Sequence, residues 1–201
     1  YHGLGYGALN ATHRTHFRGP FRRQLSEFAK FVPFPEGETD LRAIEKSLRT
    51  LANSGTFGAI LAEPIQARGG IRVPPAGFLP LLRQVANEHE MLLVLDEIYT
   101  GFGRTGKWFA CGHSETVPDL VCVGKGLTGG FPLSACMGKA EVMDAAWPPS
   151  NGEAIHTSTF LGHPVGCAMA LANMREISRL KLPAAALAKG KMLLSELRKL
   201  R

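Results

Sequence analysis

Three short apolar runs, each ending on a charged residue, limit the fold of this chain more than any other feature. "FGAILAE" ends at Glu63, "MLLVLDE" reaches Asp96, and "DLVCVGK" ends at Lys125. Short apolar runs without polar alternation read as strands buried on both faces. Between the first two lies a helical period, with Phe78, Leu81, Leu82 and Val85 on one face of residues 77–90. Strand 57–63, helix 77–90 and strand 91–96 make a right-handed, parallel βαβ unit. Residues 97–118 allow a second crossover, into a strand at 119–124. Only seven residues separate Lys125 from Leu133, and a parallel crossover needs about a dozen. The strand "LSACMG" (133–138) is therefore expected to run antiparallel, which gives an α/β fold with a mostly parallel sheet. Parallel strands end on a common edge. Glu63, Asp96 and Lys125 should thus face one crevice, where open α/β sheets bind ligands.

The other elements are plainer. Residues 1–38 carry little periodicity and read as a long loop with short extended pieces. Leu41, Ile44, Leu48 and Leu51 mark a helix near 40–52. A short helix is expected near 140–146. Pro164 opens a long helix whose "VGCAMALANM" is small and apolar on nearly every face, so it reads as buried or intersubunit. An amphipathic helix follows from about 183 to 200. No apolar run reaches the roughly 18–20 residues that span a bilayer, and "YHGLGYGALN" is not a signal peptide. The opening lacks a Met and the chain stops inside a helical pattern, which points to a piece of a longer protein.

Asp96 to Trp108, "DEIYTGFGRTGKW", carries two phosphate-binding spellings. Gly101, Gly103 and Gly106 match G-x-G-x-x-G, and Gly101, Gly106 and Lys107 match G-x-x-x-x-G-K. The first needs its leading Gly at the strand end and a helix opening at the last Gly, but "DEIYT" intervenes and no helical period precedes Pro118. The second needs Ser or Thr at 108 to hold Mg²⁺, and Trp stands there. Both spellings read better as a Gly-rich turn that redirects the chain, toward a partner subunit. A P-loop or dinucleotide-binding protein remains the rival from another class.

The net charge of +6 and the cluster Arg14, Arg18, Arg22 and Arg23 raise nucleic acid as a partner. No aromatic interleaving or recognition helix accompanies the cluster, so it reads as a solvated or subunit-facing loop, and anionic small molecules suit the charge as well. None of the four cysteines forms a C-x-x-C pair. Cys122, Cys136 and Cys167 sit in apolar runs and read as small buried hydrophobes in a reducing, cytoplasmic compartment. Cys111 and His113 fit no common zinc spacing.

A Lys closing a buried run is costly unless it snorkels, pairs with a carboxylate or is used covalently. Gly124, Gly126, Gly129 and Gly130 around Lys125 leave room for a flat ligand. A Lys Schiff base with an Asp on a pyridinium nitrogen is the working pair of pyridoxal phosphate chemistry. The residues alone leave two readings of Asp96 and Lys125, that pair or a structural ion pair.

The blocks "LAEPIQARGG", "VPPAGFLPLLRQVANEHEMLLVLDEIYTGFGRTGKWFACGH", "VPDLVCVGKGLTGGFPLSA" and "TSTFLGHPVGCAMALA" resemble the class III pyridoxal-phosphate aminotransferases, in order along the whole chain. The resemblance implies the large domain of a fold-type I enzyme, with helices on both faces of the sheet. Residues 1–163 would be the central part of that domain, without its N-terminal phosphate-binding part. Residues 164–201 would lead toward a small C-terminal domain. It implies a homodimer with a shared active site, an amino donor and an α-keto acid acceptor, and no metal, nucleic acid or membrane. An aminomutase or racemase on the same cofactor is the nearest alternative.

Carried over residue by residue, Lys125 would be the Schiff-base lysine and proton carrier, and Asp96 would hold the pyridinium proton. Tyr1 would stack on the pyridine ring. Thr159 would bind the cofactor phosphate across the dimer interface. Two positions depart from the family pattern. Tyr99 stands where many members carry Gln against the cofactor's phenolic oxygen. Arg68 stands where several carry Glu near the substrate carboxylate, so Arg68 would either bind that carboxylate or face solvent.

Overall fold

A computed structural model describes residues 1–154 and 156–200; residues 155 and 201 lie outside the described residues. In chain order the elements are α1 (Tyr6–Ala11), α2 (Thr15–Arg18), α3 (Leu41–Ala52), β1 (Ala59–Ala62), α4 (Phe78–Glu88), β2 (Leu92–Asp96), β3 (Leu120–Val123), β4 (Ala135–Gly138), α5 (Ala140–Ala146), α6 (Pro164–Arg179) and α7 (Leu182–Arg198). The strands form one sheet in the order β1-β2-β3-β4. β1 pairs parallel with β2, β2 parallel with β3, and β3 antiparallel with β4. The mixed topology expected from the connection lengths is the one observed.

Period-two alternation sorts the side chains of the sheet. Leu93 and Leu95 of β2 are fully buried against α4, whose Phe78, Leu79, Leu82, Val85 and Ala86 form its inner face. Ile44, Leu48 and Ala52 of α3 recur at a spacing of four and complete this core. Each buried Leu, Ile, Val or Phe side chain of this core contributes about 1.5–3 kcal/mol. Glu90, at φ 53°, turns the chain from α4 into β2. On the opposite face, Leu120 and Met143 of α5 close on Gly138, where a Cβ would meet each at 3.1 Å.

Asp119 fastens the start of β3. Its carboxylate accepts from the Leu93 backbone N–H at 2.7 Å and from Arg83 Nη1 at 2.6 Å, and it pairs with Lys139 Nζ at 2.7 Å. Burial alone would raise its pKa. The three donors outweigh burial and hold the pKa down to about 2. A carboxyl whose folded pKa lies below its unfolded value stabilises the fold above the unfolded value, near pH 4, and loses that stabilisation as pH falls toward 2. The contribution is about 2 kcal/mol. Urea midpoints measured from pH 7 to pH 2 should fall steeply below pH 4 in the native protein. In Asp119→Asn they should start lower and lose this part of the slope.

Several expectations change. The segment 1–38 contains α1, α2 and a 3₁₀ segment at Gly19–Gln24 in place of an extended loop. β1 is half open, with Leu61 exposed, because it is the edge strand of this sheet. α6 buries only Gly166, Ala170 and Ile177 within the chain, which removes the buried reading of this helix and leaves the intersubunit one, and α7 buries none of its residues. Cys136 and Cys167 are exposed and Cys122 is half-buried: every residue of β4 is exposed at the other sheet edge, and Cys167 lies on the open side of α6. The Gly-rich turn after Asp96 packs on α7 of the same chain. Gly103 and Gly106 have φ of 89° and 95°, and a Cβ would meet Pro183 at 3.2 Å and Leu187 at 3.0 Å.

Candidate active site at the carboxyl edge of the sheet

Asp96 is the last residue of β2 and is buried. Its Oδ2 lies 2.8 Å from His2 Nδ1, and its Oδ1 accepts from the Ile98 backbone N–H at 3.1 Å. A carboxylate only accepts, so His2 is the donor. His2 is held in turn by Thr12, whose Oγ1 accepts from the His2 backbone N–H at 3.0 Å and donates to Gly3 O and Ala8 O. Asp96 is thus fixed with acceptor capacity to spare, since a carboxylate has about four lone-pair sites and two are used.

Lys125 follows β3 at the same sheet edge, one strand over. The chain leaves the sheet at Gly124, and Lys125 itself has φ 26°, a left-handed conformation rare for a residue with a side chain. This turn makes Lys125 exposed, where the sequence suggested a desolvated residue. Its Nζ stands over the Tyr99 ring, 5.3 Å from the centroid, and Arg104 stands 5.4 Å from the same centroid. Both contacts are within cation–π range. Gly126 allows the close approach of the turn after β2, because a Cβ there would reach Phe102 at 3.1 Å. Non-glycine residues held at positive φ cluster at functional sites.

Two residues not singled out in the sequence hold this edge together. Asn173 of α6 donates through Nδ2 to Gly126 O at 2.7 Å and Leu127 O at 3.1 Å, clamping the Lys125 turn. A lone Asn inside an apolar helix was the available signal. Glu97 is fully buried and accepts from Ala110 N at 3.0 Å, Cys111 N at 2.8 Å and the Thr100 hydroxyl. It ties both ends of the Gly-rich turn. Burial, reinforced by Glu97, pushes the Cys111 thiol up to about 12. His113 Nε2 lies 3.0 Å from Thr105 O and 3.1 Å from its hydroxyl.

Around Asp96 and Lys125 the remaining site residues divide. Tyr1 lies beside His2, with Arg68 stacked on its ring at 4.7 Å and Phe17 tilted against it at 5.0 Å. Glu63, closing β1, accepts from the Tyr1 nitrogen and the Ala67 backbone N–H. Arg14 reaches the Arg68 carbonyl at 3.1 Å. Thr159 sits in an exposed turn, and among the described residues no hydrogen bond joins it to Asp96 or Lys125. A cleft of about 1300 Å³ is lined by Tyr1, His2, Glu63 and Gln66 together with Phe31 and Leu61, and neither Asp96 nor Lys125 lines it. No helix among the described residues is long and apolar enough to cross a membrane.

The profile of the family described as Aminotransferase class-III matches residues 1–201. An acetylornithine aminotransferase of Methanopyrus kandleri is 40% identical over 192 residues, which is 96% of this chain and 46% of the relative. A transaminase from the marine bacterium Virgibacillus has 30% identity and a TM-score of 0.87, covering 99% of this chain and 45% of that one. The ornithine aminotransferase of Toxoplasma gondii, whose active site was found partly occupied by PLP, has 32% identity and a TM-score of 0.79 over 99% of this chain and 44% of that one. The chain spans about half the length of the relatives it matches. Its mixed sheet is the fold-type I α/β arrangement of these transaminases. By a family pattern that runs from residue 1 to residue 201, this chain belongs to the class III aminotransferases.

Proposed function

We propose that the full-length protein is a pyridoxal-phosphate-dependent transaminase, moving an amino group from an amino acid or ω-amine to an α-keto acid by a ping-pong route. The carrying observation is the placement of Asp96 and Lys125 at the carboxyl ends of adjacent parallel strands. The residues suit the cofactor. Asp96 is a buried, anchored carboxylate with free acceptor sites, as a protonated ring nitrogen requires. Lys125 projects from a strained turn flanked by glycines that bring no side chains of their own.

When bound, pyridoxal phosphate supplies an electron sink for charge developing at the substrate Cα. Asp96 would keep the ring nitrogen protonated by charge and hydrogen bonding, with His2 holding Oδ2 in place. Lys125 Nζ would hold the cofactor aldehyde and, once free, carry the proton taken from Cα. The Tyr99 ring beneath Nζ limits where the amine stands in that free state. Tyr1 would stack on the cofactor with one neighbouring cation, Arg68, which is exposed and placed to meet a substrate carboxylate. Thr159, separate from Lys125 within the chain and exposed, would serve the phosphate of a second copy in a homodimer. Exposed Leu171, Met192, Leu193 and Leu197 on α6 and α7 support a covering partner or further domain. Four free cysteines suit a reducing cytoplasm.

Acceptor dependence tests the reading. With the amino donor alone, the full-length holoprotein should release one carbonyl product per site and stop, and adding an α-keto acid should restore turnover. Continuous turnover without an acceptor would replace the proposal with an aminomutase or racemase.

A further inference from the structure

α6 turns one stripe of residues toward the segment that carries Lys125. A Cβ at Gly166 would meet Phe131 at 3.0 Å and Leu133 at 3.3 Å. Ala170, one turn on, packs with Val123 and Leu127. Asn173 continues the stripe with a polar group, and Ile177 follows it in burial. Carbonyl oxygens only accept, so the Asn173 Nδ2 faces Gly126 O at 2.7 Å and Leu127 O at 3.1 Å, and both of its protons are used. Among the described residues no backbone N–H bonds either carbonyl. These two carbonyls come directly after Lys125, which stands at φ 26°. The side before Lys125 is fixed as well, since Gly124 O accepts from Leu127 N at 2.7 Å. A residue in a sparsely populated backbone region persists only where its surroundings over-determine it. Asn173 does this from a different element, across 47 and 46 positions of the chain.

We propose that Asn173 is a positioning residue for Lys125, holding the left-handed backbone that aims its amine. That backbone sets the direction in which the side chain leaves the sheet edge and brings Nζ over the Tyr99 ring. Without the two amide bonds the turn relaxes to an ordinary φ, and Nζ moves off its place. The kinetic half of the proposal rests on the transaminase reading, in which Nζ moves a proton at the substrate Cα; the backbone half does not. Both Asn173 protons serve the protein itself, so substrate binding is not its task. The loss on removing it falls on proton transfer, where a misplacement of about 1 Å costs on the order of 10²-fold.

Two measurements on the full-length protein separate the backbone from the chemistry. The first takes urea midpoints of the cofactor-free native protein, Asn173→Leu, Lys125→Gly and the double variant. With Asn173 in place, Lys125→Gly should raise the midpoint, because glycine relieves the strain. In the Asn173→Leu background that gain should vanish or reverse, since the turn has already relaxed. The second measures the holoprotein. There Asn173→Leu should lower kcat about 10–100-fold, leave the KM of the donor within about twofold, and raise the isotope effect of a Cα-deuterated donor. Asn173→Ser, whose hydroxyl stops one bond short and offers one proton instead of two, gives the same pattern if the Leu variant does not fold. An equal midpoint gain in both backgrounds would overturn the proposal, as would a kinetic change confined to KM. A coupled cycle in a protein that takes no pyridoxal phosphate on Lys125 would overturn the transaminase reading instead, and leave Asn173 as the keeper of the turn alone.

Discussion

Lys125→Gly in the full-length protein is expected to abolish turnover while making the cofactor-free fold more stable. Turnover should fall by about 10⁴-fold or more, since the substitution removes both the covalent anchor and the proton carrier. The stability gain has a separate cause. Lys125 sits at φ 26°, where a side chain crowds its own backbone, and a non-glycine residue in the left-handed region costs about 1–2 kcal/mol. Its side chain is exposed and makes no hydrogen bond among the described residues, so its deletion costs mainly the contact with the Tyr99 ring, about 0.5 kcal/mol at an exposed site. The unfolding free energy should rise by a few tenths of a kcal/mol, roughly, once the added freedom of the unfolded chain is included. Lys125→Ala keeps the strain and should lose activity without that gain. A loss of stability in the Gly variant would mean that the strain reading is wrong, whatever happens to activity.

Asp96→Asn is expected to lower kcat/KM by about 10²–10³-fold with the fold intact, the size of effect seen when one preorganised electrostatic partner is removed. The amide oxygen can still accept from Ile98 N–H, and the volume is unchanged. What disappears is the negative charge that would keep a ring nitrogen protonated. The absorbance of the bound cofactor should shift together with the rate, and the urea midpoint should stay put. His2→Ala should act in the same direction but less, because it frees Oδ2 without removing the charge. If Asp96→Asn unfolds the protein at wild-type temperatures, the carboxylate is a structural group first.

The sequence made the sheet legible because two local rules were enough. Apolar runs of five to six residues mark the strands, and the seven residues between Lys125 and Leu133 exclude a parallel crossover. Asp96 and Lys125 could be placed on one edge for the same reason. The support around them could not be read, because it comes from far along the chain: His2 meets Asp96 across 94 positions and Asn173 meets Gly126 across 47. Nothing in a period or a spacing marks such pairs. The helices α1 and α2 leave no periodic signal, because they are short and carry no apolar stripe. The exposure of Lys125 is hidden in the sequence because the apolar run suggests a strand continuing to it, whereas the backbone leaves the sheet at Gly124. Glu97, adjacent to Asp96, belongs to the opposite face by strand alternation, and its burial depends on the turn folding back to offer Ala110 and Cys111 N–H groups.

Lys125 as the covalent anchor of the cofactor is tested by borohydride reduction of the full-length protein with pyridoxal phosphate, followed by peptide mapping. One pyridoxyl group per chain is expected, on Lys125. A label on another lysine, or a folded protein that takes none, would contradict it.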